Sequence, residues 1–224
     1  MAYKPILFNT EMVKAILAGL KTQTRRLIKD FTGEEIKSIL KPDGSYGKYG
    51  TKGWRGMLPD RGDGNEYCIE VRPPCEPGDI LWVRETWCEN KNPNSQNFGG
   101  FEYRADYEGA LCQELITWRP SIHMPKEAAR IFLRVKDVRV ERLQEITEEQ
   151  AEKEGCSAGC FNITCGPFGN YDEPPEEFDA VEDYQRVWDT TIKPADLDKY
   201  GWDANPWVWV IEFECCEKPE GWCT

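Results

Sequence analysis

WVWVIEFECC, residues 207–216, is apolar on both faces as far as Ile211 and then alternates through Glu212, Phe213 and Glu214. A strand buried on both faces reads as an unbroken apolar run, and a strand leaving the core returns to alternation. The segment is therefore expected to be a central strand that emerges at an edge. Upstream, IFLRVKDVRV (131–140) also alternates, and its phase slips near Asp137 as a β-bulge requires. PGDILWVRETW (77–87) opens with a Pro-Gly-Asp turn and continues as a strand with Leu81 and Val83 facing away from Trp82 and Arg84.

Helices are short and few. Val13, Ile16, Leu17 and Leu20 follow the i, i+3, i+4, i+7 rule, Asn9 or Thr10 can cap their start, and Gly19 sits where a helix would stop. Thr147 with Gln150 three residues on is a capping box, and Gly155 is a natural end for a helix of about two turns. DAVEDYQRVW (179–188) places Asp179 and Glu182 at cap positions, with Val181, Tyr184, Val187 and Trp188 on one face. From Lys21 to Ile28 the chain reads as extended. From about Lys37 to Gly78 seven glycines, Gly44 to Gly64, suggest an irregular insertion loop. Strands, short helices and long loops give an α+β class, one small mixed domain built round a sheet or barrel rather than a doubly wound one.

Length and composition bound the function. The 224 residues show no internal repeat, so one decorated domain over 1–224 is the default. No apolar run is long enough to span a membrane, and after Lys4 only a short apolar stretch precedes Asn9, so no export signal and a cytoplasmic location are expected. Ten cysteines then read as thiols or metal ligands rather than disulfides. Cys156, Cys160 and Cys165 cluster, as do Cys215, Cys216 and Cys223, but no CxxC occurs and His123 is the single histidine, so no metal and no cofactor is assigned. The net charge of −12 argues against broad adhesion to nucleic acid. Locally, Arg119 to Arg142 holds seven basic residues against three acidic, and Asp172 to Asp183 holds seven carboxylates and no Lys or Arg. A small basic face on an acidic body suits a specific anionic ligand; solvated faces of opposite sign are the competing reading.

Four blocks, ILAGLKTQTRR (16–26), PGDILWV (77–83), LQEITEEQAEKEG (143–155) and WVIEFECC (209–216), resemble in order and wording the ASCH-domain proteins of the PUA-like superfamily. Within it the likeness is strongest to compact bacterial N4-acetylcytidine amidohydrolases, and it covers about a third of the chain. The resemblance implies a PUA-like small β-barrel with flanking helices and insertions at about 30–76, 88–120 and 156–205. It places the family's catalytic lysine, threonine and glutamate on Lys21, Thr24 and Glu154. Longer phage and prophage proteins share the wording of WVRETW, PSIHMP and NPWVWVIEFE, which implies host cytoplasm as the location if the chain is phage-encoded.

Each catalytic assignment has a physical case. A threonine hydroxyl needs a base within reach, and a lysine is a base only where burial or cationic neighbours, here Arg25 and Arg26, favour its neutral form. Glu154 falls at a helix C-terminus, where unpaired carbonyls favour the protonated acid. Against this, Lys21 and Thr24 are three positions apart, which on an ideal strand puts them on opposite sides unless a turn after Gly19 re-aims the lysine. Arg84 and Glu85 follow the Gly-Asp strand that lines the cleft in ASCH-like domains, and they read equally as a structural ion pair. Arg119, Ser121 and His123 in WRPSIHMP sit between prolines, at a pocket rim or in a packed turn. Tyr46, Lys48, Tyr49, Lys52, Trp54 and Arg55 interleave among glycines as a base-stacking loop would, or as a surface loop would. The expected partner is a modified nucleoside or RNA, with oligomeric state open. The expected function is nucleobase recognition with possible hydrolysis of an acylated cytidine amine. Its competitors are a binding-only module, an RNA-cleaving relative and a phage protein that binds a host factor.

Overall fold

The strands expected at 131–140 and 207–216 pair with each other. In the computed structural model, which describes residues 1–29, 36–41, 53–65, 67–91, 93, 98–107, 116–157 and 179–222, β10 (Trp207–Cys216) runs antiparallel to β9 (Phe132–Arg142) from Trp207 opposite Arg142 to Cys216 opposite Phe132. Between Glu212 opposite Asp137 and Phe213 opposite Val135 the register shifts, leaving Lys136 as the extra residue of a bulge. β1 (Tyr3–Leu7), β2 (Gln23–Leu27) and β6 (Ile80–Arg84) complete a five-stranded sheet in the order β1-β6-β9-β10-β2, in which the β1–β6 pair is parallel.

β10 is apolar on both faces because both are covered. Trp209, Ile211 and Phe213 join a cluster with Ile6, Phe8, Val71 and Leu133, and with Val13 and Ile16 of α1 (Thr10–Leu17). Val208 and Val210 face the other way, onto Ala151 of α2 (Glu148–Lys153) and Tyr184 and Trp188 of α3 (Ala180–Thr191). Burial of such a side chain contributes roughly 1.5–3 kcal/mol. A third cluster joins Ile80, Trp87, Met124, Phe132 and Trp222, with the indole of Trp222 edge-on to Tyr3, Trp82 and Phe132. A short helix, α4 (Leu197–Tyr200), precedes β10. Helix starts are as expected: Asn9 accepts from the Met12 N–H, Thr147 and Gln150 form the capping box, and Asp179 accepts from the Glu182 N–H.

The chain is thus a mixed α+β fold, mostly sheet with short helices, and among the described residues no helix is long and apolar enough to cross a membrane. Several expectations need correction. The segment read as an irregular loop from Lys37 to Gly78 carries a three-stranded antiparallel sheet, β3 (Ser38–Leu40), β4 (Trp54–Met57) and β5 (Cys68–Val71). Gly56 lies inside β4, and a Cβ there would meet the side chains of Ile36 and Ile69 at 3.2–3.3 Å. That glycine marks close packing rather than a turn. The second insertion opens with a hairpin, β7 (Trp87–Glu89) against β8 (Phe101–Tyr103). Leu17 and Leu20 are 53% and 64% exposed: α1 stops at Leu17, so its period does not reach Leu20.

β1 and β2 are the two edges of the main sheet. No ladder joins them among the described residues, so the expected barrel is not closed there. The Arg26 guanidinium donates to the Leu7 carbonyl at 2.9 Å across the gap, and residues of both edges line one cavity of about 690 Å³. The sheet therefore curls until its edges face each other over a seam.

Candidate functional site

A tight reversal after α1 builds the site. Gly19 takes φ +74°, a left-handed conformation, and the N–H groups of Leu20 and Lys21 both bond to the Ala15 carbonyl at 2.9 and 3.1 Å. Thr22 N–H then bonds to the Lys153 carbonyl at 2.9 Å, tying this turn to the end of α2. Gly155, at φ +90°, closes α2 so near Lys21 that a Cβ there would stand 3.0 Å from the Ala15 Cβ and 3.4 Å from the Lys21 Cβ. The turn thus aims Lys21 at Glu154. Strand parity does not constrain Lys21, because β2 begins only at Gln23.

Lys21 Nζ donates to the Glu154 carboxylate at 2.7 Å and to the Glu154 carbonyl at 2.8 Å. Arg25 reaches the other carboxylate oxygen at 3.3 Å and also bonds to Glu141 and Gln150 at 2.9 Å each. The Lys21 and Arg25 side chains are 0% exposed and that of Glu154 is 3% exposed. Tyr184 of α3 lies over this network, its ring centre 5.8 Å from the Arg25 guanidinium. Burial holds the Lys21 amine below its ordinary value, with the charge and hydrogen bond of Glu154 opposing and Arg26 reinforcing the shift. Burial also pushes the Tyr184 hydroxyl well up and the Cys156 thiol to about 12.

Thr24 is buried on the opposite face of β2 from Arg25, paired across the sheet with Ile211. Among the described residues no hydrogen bond joins its hydroxyl to Lys21 or Glu154. Arg26 shares the face of Thr24 and pairs with Trp209. It donates to the carbonyls of Arg25 (3.2 Å) and Leu7 (2.9 Å), its guanidinium lies 5.0 Å from the centre of the Phe8 ring, and no carboxylate pairs with it among the described residues. Ile211 and Trp209, the cross-strand partners of Thr24 and Arg26, both line the seam cavity, along with Ile6, Leu27, Ile69 and Val71. Cavities of this size and apolar character hold small ligands. Of these wall residues, Ile69 and Val71 fall in the segment read as a loop, and Trp209 was visible only as part of a core strand.

The other candidates form a second group at the β6–β7 junction. Arg84 donates to the Ile122 carbonyl and lies 5.5 Å from the Trp82 ring centre. Glu85 is gripped at both oxygens by Arg130 (2.9 and 3.0 Å), which also pairs with Asp106. Glu85 is thus in an ion pair, with Arg130 and not Arg84. Arg119 pairs with Glu89 at 3.6 Å and stands over Trp87. Ser121 and His123 occupy one short turn, with His123 exposed. The two groups adjoin at the β1 end, where Leu7 pairs with Arg84 and Phe8 N–H bonds to the Arg84 carbonyl at 3.1 Å. The basic stretch expected as a face is largely neutralised, since Lys136 pairs with Glu214 and Arg139 with Asp137, Glu141 and Glu212.

Trp54 is engaged edge-on with Trp209 at 5.2 Å, while Tyr46, Lys48, Tyr49 and Lys52 lie outside the described residues, as do Cys160, Cys165 and Cys223. Among the described residues no group of three or more His, Cys, Asp or Glu side chains is placed to hold a metal ion. In comparisons with models of known protein families, with curated proteins and with solved structures, nothing matches this chain.

Proposed function

We propose that this chain is an ASCH-type, PUA-like module that recognises a nucleobase or nucleoside in the seam cavity, with the Lys21–Glu154–Arg25 network as the scaffold that orients β2. The observation that carries the reading is the cavity itself: about 690 Å³, apolar walls, an indole and a carboxylate-free guanidinium on neighbouring strands. A flat base has apolar faces and hydrogen-bonding edges, and these walls offer a partner for each. Binding is favoured over turnover because Lys21 and Glu154 are closed on each other beneath α3 and Thr24 has no bond to either. The nucleoside class rests on the resemblance, and the size and apolar lining of the cavity support the reading.

Hydrolysis of N4-acetylcytidine is the second reading, favoured by one observation: Lys21 and Glu154, 133 positions apart, meet at 2.7 Å, with the amine held toward its neutral form. One experiment separates the two. The protein is titrated calorimetrically with cytidine and N4-acetylcytidine, and each mixture is then chromatographed for released cytidine. Saturable heat without cytidine release supports recognition. Release that Thr24→Ala and Lys21→Ala abolish in folded protein replaces it with the hydrolase. Neither heat nor release, for these or the other common nucleosides, overturns both.

A further inference from the structure

Several cations of the main sheet and its flanks come with carboxylates, and half-buried Arg26, among the described residues, does not. Lys21, Arg25, Arg130 and Arg139 each face at least one carboxylate within 4 Å. Arg26 uses two of its five N–H groups on the carbonyls of Leu7 and Arg25, and the other three have no acceptor among the described residues. The single carboxylate that shares its cavity, Glu70, is held by Arg72 at 3.0 Å. Lys29, exposed, stands at the rim and adds a second positive charge. In a chain of net charge −12 this is a local excess and no part of a general basic surface.

We infer that the seam cavity takes a small ligand with an anionic head, phosphate or carboxylate, and a flat apolar body. The head sits on the free edge of the Arg26 guanidinium with Lys29 beside it, and the body lies along Trp209. Arg26 and Trp209 are directly opposed on antiparallel strands, which sets their Cβ atoms roughly 4.5–5.5 Å apart, the reach of one small molecule. A guanidinium fork matches a phosphate or carboxylate at two oxygens, and half-burial strengthens that match. For the identity of the body the inference rests on the reading above, under which the ligand is a nucleoside monophosphate rather than a nucleoside.

The test is calorimetry on the full chain with three probe classes: the common ribonucleosides, their 5′-monophosphates, and phenyl phosphate with benzoate as base-free anions. The expected result is a monophosphate binding about tenfold or more tightly than its nucleoside, a margin that shrinks when salt is raised from about 50 mM to about 500 mM. Arg26→Gln should reduce the monophosphate to the level of the nucleoside, Arg26→Lys should restore part of the margin, and Lys29→Gln should lose a smaller part. If Arg26→Gln does not fold, Ile69→Trp fills the cavity from β5 while leaving the arginine in the chain, and should abolish binding of every probe. Equal affinity for nucleoside and monophosphate overturns the anionic head and leaves nucleoside recognition standing. Arg26-dependent binding of phenyl phosphate or benzoate with no binding of any nucleotide keeps the anionic head and overturns the nucleoside reading. Binding that survives Ile69→Trp, or no binding of any anion, overturns the inference.

Discussion

Glu154→Gln isolates the charge at the centre of the network, since the amide keeps the shape and an acceptor oxygen. Arg25 retains Glu141 and Gln150 as partners, so the loss falls on Lys21, which keeps neutral acceptors but faces no opposite charge at 0% exposure. Removing one partner of a buried pair costs about 3–5 kcal/mol, against roughly 5–15 kcal/mol of total stability for a domain. With about 2–4 °C of melting temperature per kcal/mol at this length, the variant should melt about 10 °C lower. Urea unfolding should show a lower midpoint at an unchanged slope. The double variant Lys21→Met/Glu154→Gln removes the stranded charge and should recover more than half of the deficit. The pH arm has a definite sign. Lys21 titrates below its ordinary 10.5 in the folded chain, so between the two values the unfolded chain holds a proton the native one has lost, and stability rises with pH there. Loss of Glu154 removes the causes that raise the Lys21 value, lowers it further and widens that window downward. The deficit of Glu154→Gln should therefore be greatest at pH values where Lys21 is protonated in both folded forms, and should shrink as the pH rises toward 10.5. A deficit under about 1 kcal/mol that ignores pH is the signature of an exposed pair, and would refute a sealed network.

Three other outcomes follow from single contacts. Gly155→Ala forces a side chain into the left-handed region and against Ala15 at 3.0 Å, while Gly19→Ala pays only the conformational cost because nothing stands within 4 Å. Denaturant midpoints should show losses of about 2–3 and about 1 kcal/mol respectively, and equal losses would deny the tight approach of α2 to the Lys21 turn. Trp222→Ala removes three edge-on ring contacts and an indole hydrogen bond to the Lys126 carbonyl at 3.1 Å, so unfolding and near-ultraviolet dichroism should register a loss of about 3 kcal/mol. Among the described thiols, alkylation at about pH 8 followed by peptide mass spectrometry should label exposed Cys215 well before Cys75 and Cys156, which burial raises to about 11 and about 12. Early labelling of Cys156 would mean that α3 does not cover the network.

The sequence is most legible where one pattern answers one environment. β9 alternates and β10 runs apolar until it leaves the core, their bulge falls where the phase slips, and the caps at Asn9, Thr147 and Asp179 are local chemistry. β1 was missed because Pro5 demotes a strand, yet as an edge strand β1 pairs on one side alone. The site shows a sharper limit. Arg25 and Arg26 are identical letters at adjacent positions, and parity says only that they face opposite sides of β2. On one side the fold brings Glu141, Gln150 and Glu154, from 116 to 129 positions away, onto Arg25. On the other it brings Phe8, Trp209 and an apolar cavity to Arg26, and no carboxylate among the described residues. A charge excess summed along the chain points to residues 119–142, where four of the seven cations, Arg119, Arg130, Lys136 and Arg139, are paired with carboxylates. The cation that faces the apolar cavity without a carboxylate among the described residues is Arg26, visible only when each cation is matched to what the fold sets against it.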